Sequence, residues 1–241
     1  MHFVLVHSLA VGPSTWQPVC DLLGRHGHAV DLPDLTGVAV GELPSGPRIA
    51  RRVADEVDAV TGENIAIVTH SNAGLFAPAI GEALSKASIS YLFVDASVPP
   101  PSGSTTIAGE FISDLRTKAD GDRLPRWTDW WDEAEIAPIL PVSVELRETI
   151  TREQPRLPLS WYEQAVDVPA GWDRLPCAYV YFGPPYDEIV DELVQRGWPV
   201  RHVPGKHLHM AVDPVAVADA IEEAVGALHK RQLGLNFGAP A

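Results

Sequence analysis

Short apolar runs alternate with amphipathic stretches along most of this chain, and this alternation limits its fold more than any other feature. Short continuous apolar runs are typical of strands that are buried on both faces. The stretches between them repeat apolar residues at helical spacing, as Ile49, Val53 and Val57 do. Strands that alternate with helices predict an α/β fold with a mainly parallel sheet and helices on both faces. The predicted strands are residues 3–6, 28–32, 64–69, 90–94, 177–182 and 200–203.

One long segment interrupts this alternation. Residues 99–172 are rich in proline, tryptophan and charged residues and contain no long apolar run. We therefore predict a core domain formed by residues 1–98 and 173–241, and an inserted helical cap formed by residues 99–172. The cap is expected to lie over the ends of the strands.

The composition argues against several classes of partner. The 241 residues include 18 Lys and Arg against 32 Asp and Glu, a formal charge of −14, which disfavours nucleic acid and anionic membranes. No apolar run approaches the ~20 residues of a membrane span, and we expect no signal peptide at the start of the chain. Two cysteines, Cys20 and Cys177, do not make a disulfide framework or a zinc site. We expect a cytoplasmic protein that acts on a small molecule without metal or cofactor, with a homodimer as a possible assembly.

A serine follows the clearest apolar run. Residues 69–74 read Thr-His-Ser-Asn-Ala-Gly, between a predicted strand and a predicted helix. In the G-x-S-x-G elbow the serine occupies a tight strand-to-helix turn, and small flanking residues prevent collisions across it. Here Thr69 and Ala73 replace the two glycines, and Gly74 follows. The context predicts that Ser71 is a nucleophile, and the alternative is a serine that only caps a helix.

A base and an acid for this serine are expected at the same edge of the sheet. His207 lies in a loop between the last predicted strand and the last helix, where such a base belongs, and His209 is its rival. Two aspartates are candidates for the acid: Asp95 ends the strand next to that of the serine, and Asp187 follows the next strand. Either carboxylate could orient His207 through its second ring nitrogen.

The loop after the first strand, His7-Ser8-Leu9, is the third component of the predicted site. The backbone N–H of Leu9 (or Ser8) and that of Asn72 would form an oxyanion hole, although an ordinary strand-end loop is the alternative. Ser8 is also expected to contact substrate. Three tryptophans of the predicted cap are expected to line the pocket or, alternatively, to pack the cap onto the core: Trp127, Trp130 and Trp131.

Three segments of the chain together resemble the α/β-hydrolases. They are V-L-V-H-S…W near the start, I-A-I-V-T-H-S-N-A-G in the middle and G-K-H-L-H-M-A-V-D-P near the end, so the resemblance covers nearly the whole chain. In that family the histidine stands seven residues before a proline that opens the last helix, as His207 and Pro214 do, which favours His207 over His209. The family's two usual N-terminal strands are missing, which implies an α/β-hydrolase fold with a sheet of about six strands.

The resemblance also implies a function. The chain looks most like the compact esterase and hydroxynitrile-lyase-like group and like short actinobacterial hydrolases. We therefore expect a serine hydrolase of the carboxylic ester hydrolase class, with a Ser-His-Asp triad, that cleaves an ester, thioester or amide of a small, largely apolar substrate. The alternatives are a non-hydrolytic lyase or cyclase that uses the same Ser/His pair, and a catalytically silent binding protein on this scaffold.

Overall fold

The computed structural model describes residues 1–39, 45–57, 64–84 and 88–232. This part of the chain contains eight strands and ten α-helices. The predicted helix over residues 47–60 is present up to Glu56, and residues 58–60 lie outside the described part. The strands are β1 (His2–Val6), β2 (Ala29–Asp31), β3 (Asn64–Ser71), β4 (Ser88–Ala96), β5 (Gly103–Thr106), β6 (Ala165–Val168), β7 (Cys177–Tyr181) and β8 (Val200–His202).

Six of these strands form one parallel sheet in the order β2-β1-β3-β4-β7-β8. The central strands are the most deeply buried, and Ile65, Ile67 and Val68 of β3 are fully buried. The predicted α/β fold with a parallel sheet of about six strands is therefore confirmed. Because all six strands run the same way, their carboxyl ends meet at one edge, where the predicted site residues follow them.

The helices cover this sheet in two packed pairs, α1 with α10 and α2 with α3. The segment Asn72–Phe76 is a 3₁₀ helix, so the α-helix after Ser71 begins later than predicted. Among the described residues, no helix combines the length and the apolar character needed to cross a membrane. The α-helices are α1 (Gln17–Arg25), α2 (Gly46–Glu56), α3 (Ala77–Ala83), α4 (Ile112–Lys118), α5 (Glu133–Ile136), α6 (Val144–Glu153), α7 (Leu159–Tyr162), α8 (Val190–Gln195), α9 (His209–Val212) and α10 (Pro214–Gln232).

The segment between β4 and β7 contains helices α4 to α7 and also the antiparallel pair β5–β6, so it is not purely helical. These two strands were not predicted, because β5 reads Gly-Ser-Thr-Thr and has no apolar residue to mark it. Several contacts fasten this segment to the core; in one of them the Glu153 carboxylate of α6 accepts the backbone N–H of Ser14 at 3.0 Å. The predicted cap boundaries at residues 99 and 172 stay a prediction.

Candidate active site

Ser71 lies at the end of β3 in a strained backbone conformation, with φ 58° and ψ −134°. Such dihedrals cost about 1–3 kcal/mol in a residue other than glycine and cluster at functional sites. Among the small residues around Ser71, Gly74 is the one that must lack a side chain. A Cβ on Gly74 would lie 2.0 Å from the carbonyl oxygen of Ser97. Thr69 and Ala73 are fully buried without such a conflict. The elbow geometry therefore survives the loss of the two usual glycines.

His207 bridges Ser71 and Asp95. Its Nε2 lies 3.0 Å from Ser71 Oγ, and its Nδ1 lies 2.7 Å from Asp95 Oδ2. Because a carboxylate only accepts hydrogen bonds, Nδ1 carries the proton and Nε2 accepts from the serine hydroxyl. The other oxygen of Asp95 accepts the backbone N–H of Phe182 at 2.9 Å, and the carboxylate is 2% exposed. A buried acid thus fixes both the tautomer and the direction of the imidazole.

The second acid candidate lies elsewhere. Asp187 is exposed on the surface before α8, and the His207 ring has its carboxylate partner in Asp95. The alternative base, His209, packs its ring against Phe182 with centroids 5.5 Å apart. Of the two acids and two bases left open by the sequence, the structure brings Asp95 and His207 to Ser71.

A buried histidine supports the loop that carries His207. The Nε2 of His70 donates to the backbone carbonyl of His207 at 2.8 Å, and the two rings lie 4.4 Å apart. Burial, together with the nearby His207, holds the pKa of His70 well below its ordinary value, so its ring is neutral. His70 therefore positions the base without carrying charge.

Tyr186 is a site residue that the sequence analysis missed. Its ring lies parallel to that of His207, with a 3° interplanar angle and centroids 5.1 Å apart. Its hydroxyl is 3.4 Å from Ser71 Oγ. Burial raises the pKa of Tyr186 to about 12, so the phenol keeps its proton and can donate it to a hydrogen bond. Tyr186 immediately precedes Asp187 in a loop, and no local motif marks it as a neighbour of the serine.

The loop after β1 is held by a second buried histidine. Nε2 of His7 accepts the N–H of Leu35 at 3.0 Å, so Nδ1 carries the proton and donates to the Ser8 carbonyl at 2.7 Å. Burial lowers the pKa of His7 below its ordinary value. The Leu9 N–H, expected to face substrate, donates instead to Oδ1 of the Asn72 side chain at 3.2 Å.

The three tryptophans differ in their distance from His207. The ring of Trp127 lies 6.0 Å from that of His207. Trp131 packs against Trp127 at 4.8 Å, and the buried Trp130 donates its Nε1–H to the carbonyl of Pro125. Trp127 is thus placed beside the base, whereas Trp130 and Trp131 form a layer of packing behind it.

The same cluster also contains three groups of metal-ligand type. Among the described residues, His70, Asp95 and His207 place ligand atoms within 4.8 Å of one another. The 2.7 Å between Asp95 and His207, however, is a hydrogen-bond distance. Two ligands of a tetrahedral zinc ion with bonds of about 2.0–2.1 Å stand about 3.3 Å apart. The observed spacing therefore fits a proton shared between acid and base better than a metal ion held by both.

A serine and an aspartate from the ends of two strands and a histidine from a loop meet at one edge of a parallel sheet, which places this protein among the α/β proteins with a triad-like site. Residues 3–220 match the model of the Alpha/beta hydrolase family, and the chain belongs to this family. No curated protein sequence matches it at a significant level.

Solved structures with the same fold are distant in sequence. An extracellular α/β-hydrolase from a Paenibacillus species is 16% identical with a TM-score of 0.71, covering 93% of this chain and 98% of its own. A methylesterase from Arabidopsis is 17% identical with a TM-score of 0.69, covering 94% and 99%. Tomato methylketone synthase I, in complex with 2-tridecanone, is 16% identical with a TM-score of 0.72, covering 94% and 98%. At such identities the likeness concerns the fold.

Proposed function

We propose that the protein is a serine hydrolase in which Ser71 is the nucleophile, His207 the base and Asp95 the acid. The observation that carries this proposal is the hydrogen-bonded chain from Ser71 Oγ through the His207 ring to the Asp95 carboxylate, at 3.0 and 2.7 Å. A serine hydroxyl is a weak nucleophile at its own pKa and needs an adjacent base. The geometry supplies that base in the required tautomer.

The proposed reaction has two halves. Ser71 Oγ attacks the carbonyl carbon while Nε2 of His207 takes its proton, and Asp95 stabilises the resulting imidazolium. The oxyanion of the tetrahedral intermediate is bound by the backbone N–H groups of Leu9 and Asn72. Collapse expels the leaving group, which receives the proton from His207. Water then attacks the acyl-enzyme by the same steps and releases the carboxylic acid.

The proposed substrate is an ester, thioester or amide with a small, largely apolar acyl group. Trp127 beside His207 supports an apolar pocket, and Ser8 is proposed to contact the substrate. The similar structure from Arabidopsis is described as a methylesterase, in line with ester hydrolysis. The small-molecule partner, the homodimer, the cap and the cytoplasmic location stay predictions, and one similar protein is described as extracellular.

A second candidate function is a non-hydrolytic reaction, a lyase or cyclase step, on the same Ser/His pair. The hydrogen bond between the Leu9 N–H and the Asn72 side chain favours it, because an occupied oxyanion hole is a poor start for acyl transfer. The same contact supports the third alternative, a binding protein without catalysis.

The experiment is covalent labelling with a fluorophosphonate probe, together with hydrolysis of a chromogenic short-chain ester. In labelling, Ser71 Oγ forms a bond to phosphorus, fluoride leaves and His207 takes the hydroxyl proton. We expect the wild-type protein to be labelled and to turn over the ester. Ser71→Ala should lose labelling and at least about 10³-fold in kcat, because the nucleophile is gone.

A matched control is Ser88→Ala, which removes an exposed serine at the opposite end of the neighbouring strand β4. This variant should keep full labelling. Labelling of the Ser71→Ala protein would show that the nucleophile is wrong. A folded wild-type protein that is not labelled would favour the binding protein, and labelling without ester turnover would favour the lyase or cyclase.

A further inference from the structure

The side chain of Asn72 makes contacts that the proposed reaction does not use. Its Oδ1 accepts the Leu9 N–H at 3.2 Å and the Ser8 hydroxyl at 3.0 Å. The Ser8 oxygen itself accepts the N–H of Ala10 at 3.2 Å, which directs the hydroxyl proton toward Asn72. Two donors from the loop after β1 thus converge on one carbonyl oxygen of the protein.

Two donors that converge on one carbonyl-type oxygen form the pattern of an oxyanion hole. The oxygen bound here belongs to a carboxamide, which has the same acceptor geometry as the carbonyl of an ester or amide. The single backbone N–H of Leu9 already donates a hydrogen bond to Asn72 Oδ1. A substrate carbonyl and the Asn72 side chain therefore compete for the same donor.

The backbone of Asn72 is less free than its side chain. Asn72 opens the 3₁₀ helix Asn72–Phe76 directly after the strained Ser71, so its own N–H is held in place. The residue as a whole is only partly buried. Rotation about its side-chain bonds would release the Leu9 N–H without moving either backbone segment.

We propose that the Asn72 carboxamide is a built-in occupant of the oxyanion hole and that a carbonyl substrate binds only when this side chain rotates away. The proposal rests on the proposed hydrolase function and adds a specificity-determining residue to it. The apparent affinity for substrate is lowered by the fraction of molecules in which the hole is open. Amides, whose carbonyl oxygens accept hydrogen bonds more strongly than those of esters, compete best for the donors.

Three substitutions at this position separate the effect of the oxygen from that of the volume. Asn72→Ala and Asn72→Leu both remove the competing oxygen, while leucine keeps a similar size. Both should raise the second-order rate of labelling by a fluorophosphonate about three- to tenfold and lower KM for a chromogenic ester by a similar factor. Asn72→Asp should slow labelling about as much, because a carboxylate binds the two donors more strongly.

The control variant is Asn64→Ala, which makes the same change at an exposed asparagine at the far end of β3. It should leave labelling and KM unchanged. A readout independent of activity is exchange of the Leu9 amide hydrogen measured by NMR. This hydrogen should exchange faster in Asn72→Ala and Asn72→Leu than in the wild-type protein, since its acceptor is gone.

The outcomes distinguish this proposal from the function on which it rests. If no protein is labelled, the hydrolase proposal fails, and Leu9 amide exchange alone decides whether Asn72 occupies the hole. If the wild type is labelled but Asn72→Ala and Asn72→Leu are labelled equally fast or more slowly, the occupant proposal is overturned. Slower labelling would mean that Asn72 holds the loop in its active shape. Unchanged exchange of the Leu9 amide hydrogen in Asn72→Ala and Asn72→Leu would also overturn the occupant proposal.

Discussion

The candidate site has two halves, and only one of them has its groups in the arrangement that the proposed reaction needs. In the proposed base half, His207 already bonds to Ser71 and Asp95, and in the proposed oxyanion half the Leu9 N–H bonds to the Asn72 side chain. The proposed base half rests on two strand residues, Ser71 and Asp95, and on the loop that carries His207, whereas the state of the proposed oxyanion half depends on one side-chain rotamer. Proton transfer and charge stabilisation, which must act together in catalysis, are thus controlled by different structural elements.

The largest expected effect tests the base half. Asp95→Asn should lower kcat/KM about 10³–10⁴-fold, because an amide at this position no longer fixes the imidazole tautomer or stabilises the imidazolium. Asp187→Asn, which makes the same change at an exposed carboxylate, should alter kcat/KM less than twofold. Ester hydrolysis by both variants, with circular dichroism as a check on the fold, provides the measurement. A larger loss in Asp187→Asn would reverse the assignment of the acid.

Each half contains a buried neutral histidine, His70 in the base half and His7 in the oxyanion half. We therefore expect the stability of the folded protein to fall at acid pH. The pKa values of His7 and His70 are lowered by burial, so below their ordinary pKa near 6.5 the unfolded chain binds protons that the folded protein does not. Stability should therefore fall as the pH drops from 7 to 5.5. The slope approaches about 1.4 kcal/mol per pH unit for each histidine whose folded form stays neutral.

Urea unfolding at several pH values measures this slope. His70→Leu removes one of the two groups, and it should reduce the slope even though it lowers stability at pH 7. The reduction in slope, rather than the absolute stability, is the relevant result, because the variant also leaves the His207 carbonyl without its donor. An identical slope in the variant and the wild-type protein would contradict the neutral state of His70.

The smallest expected effect concerns Tyr186. Tyr186→Phe removes the hydroxyl near Ser71 but keeps the ring that stacks on His207. Because the hydroxyl is 3.4 Å from Ser71 Oγ, at the long end of hydrogen-bond distances, we expect kcat to fall only about two- to threefold. Tyr181→Phe, in a residue that stacks on His202 instead, is the control. A loss above tenfold in Tyr186→Phe would mean that the phenol is part of the chemistry.

Much of the fold followed from the sequence, because strands buried on both faces must be continuously apolar. The position of Ser71 followed from its place at the end of a strand, and that of His207 from its loop between the last strand and the last helix. The pair β5–β6 did not, since Gly-Ser-Thr-Thr lacks any apolar alternation and its strand is largely exposed. A strand with so weak a hydrophobic pattern forms because a second strand, here β6, pairs with it.

The choice of acid and the state of the oxyanion half could not be predicted from the sequence for a different reason. Asp95 and Asp187 both follow strands, and only the course of the loop after β7 decides which carboxylate reaches the imidazole. The contacts of Asn72 and Tyr186 depend on side-chain rotamers and on a loop without a motif. Such features arise from the packed structure rather than from local patterns of residue type.

The position of the proposed acid, Asp95, on β4 also affects which parts of the sequence can change without loss of the site. His70 pairs with Val94 and Ser71 with Ala96, so Asp95 is the extra residue of a bulge in β4, with φ 45°, and the bulge directs it beside the proposed nucleophile. A carboxylate on the loop after β7 would instead tie catalysis to the length of that loop. In the proposed reaction, residues 187–189 carry no part of the proton relay. Insertions or exchanges at these positions can accumulate during evolution, or be made by grafting, while the position of the acid is preserved.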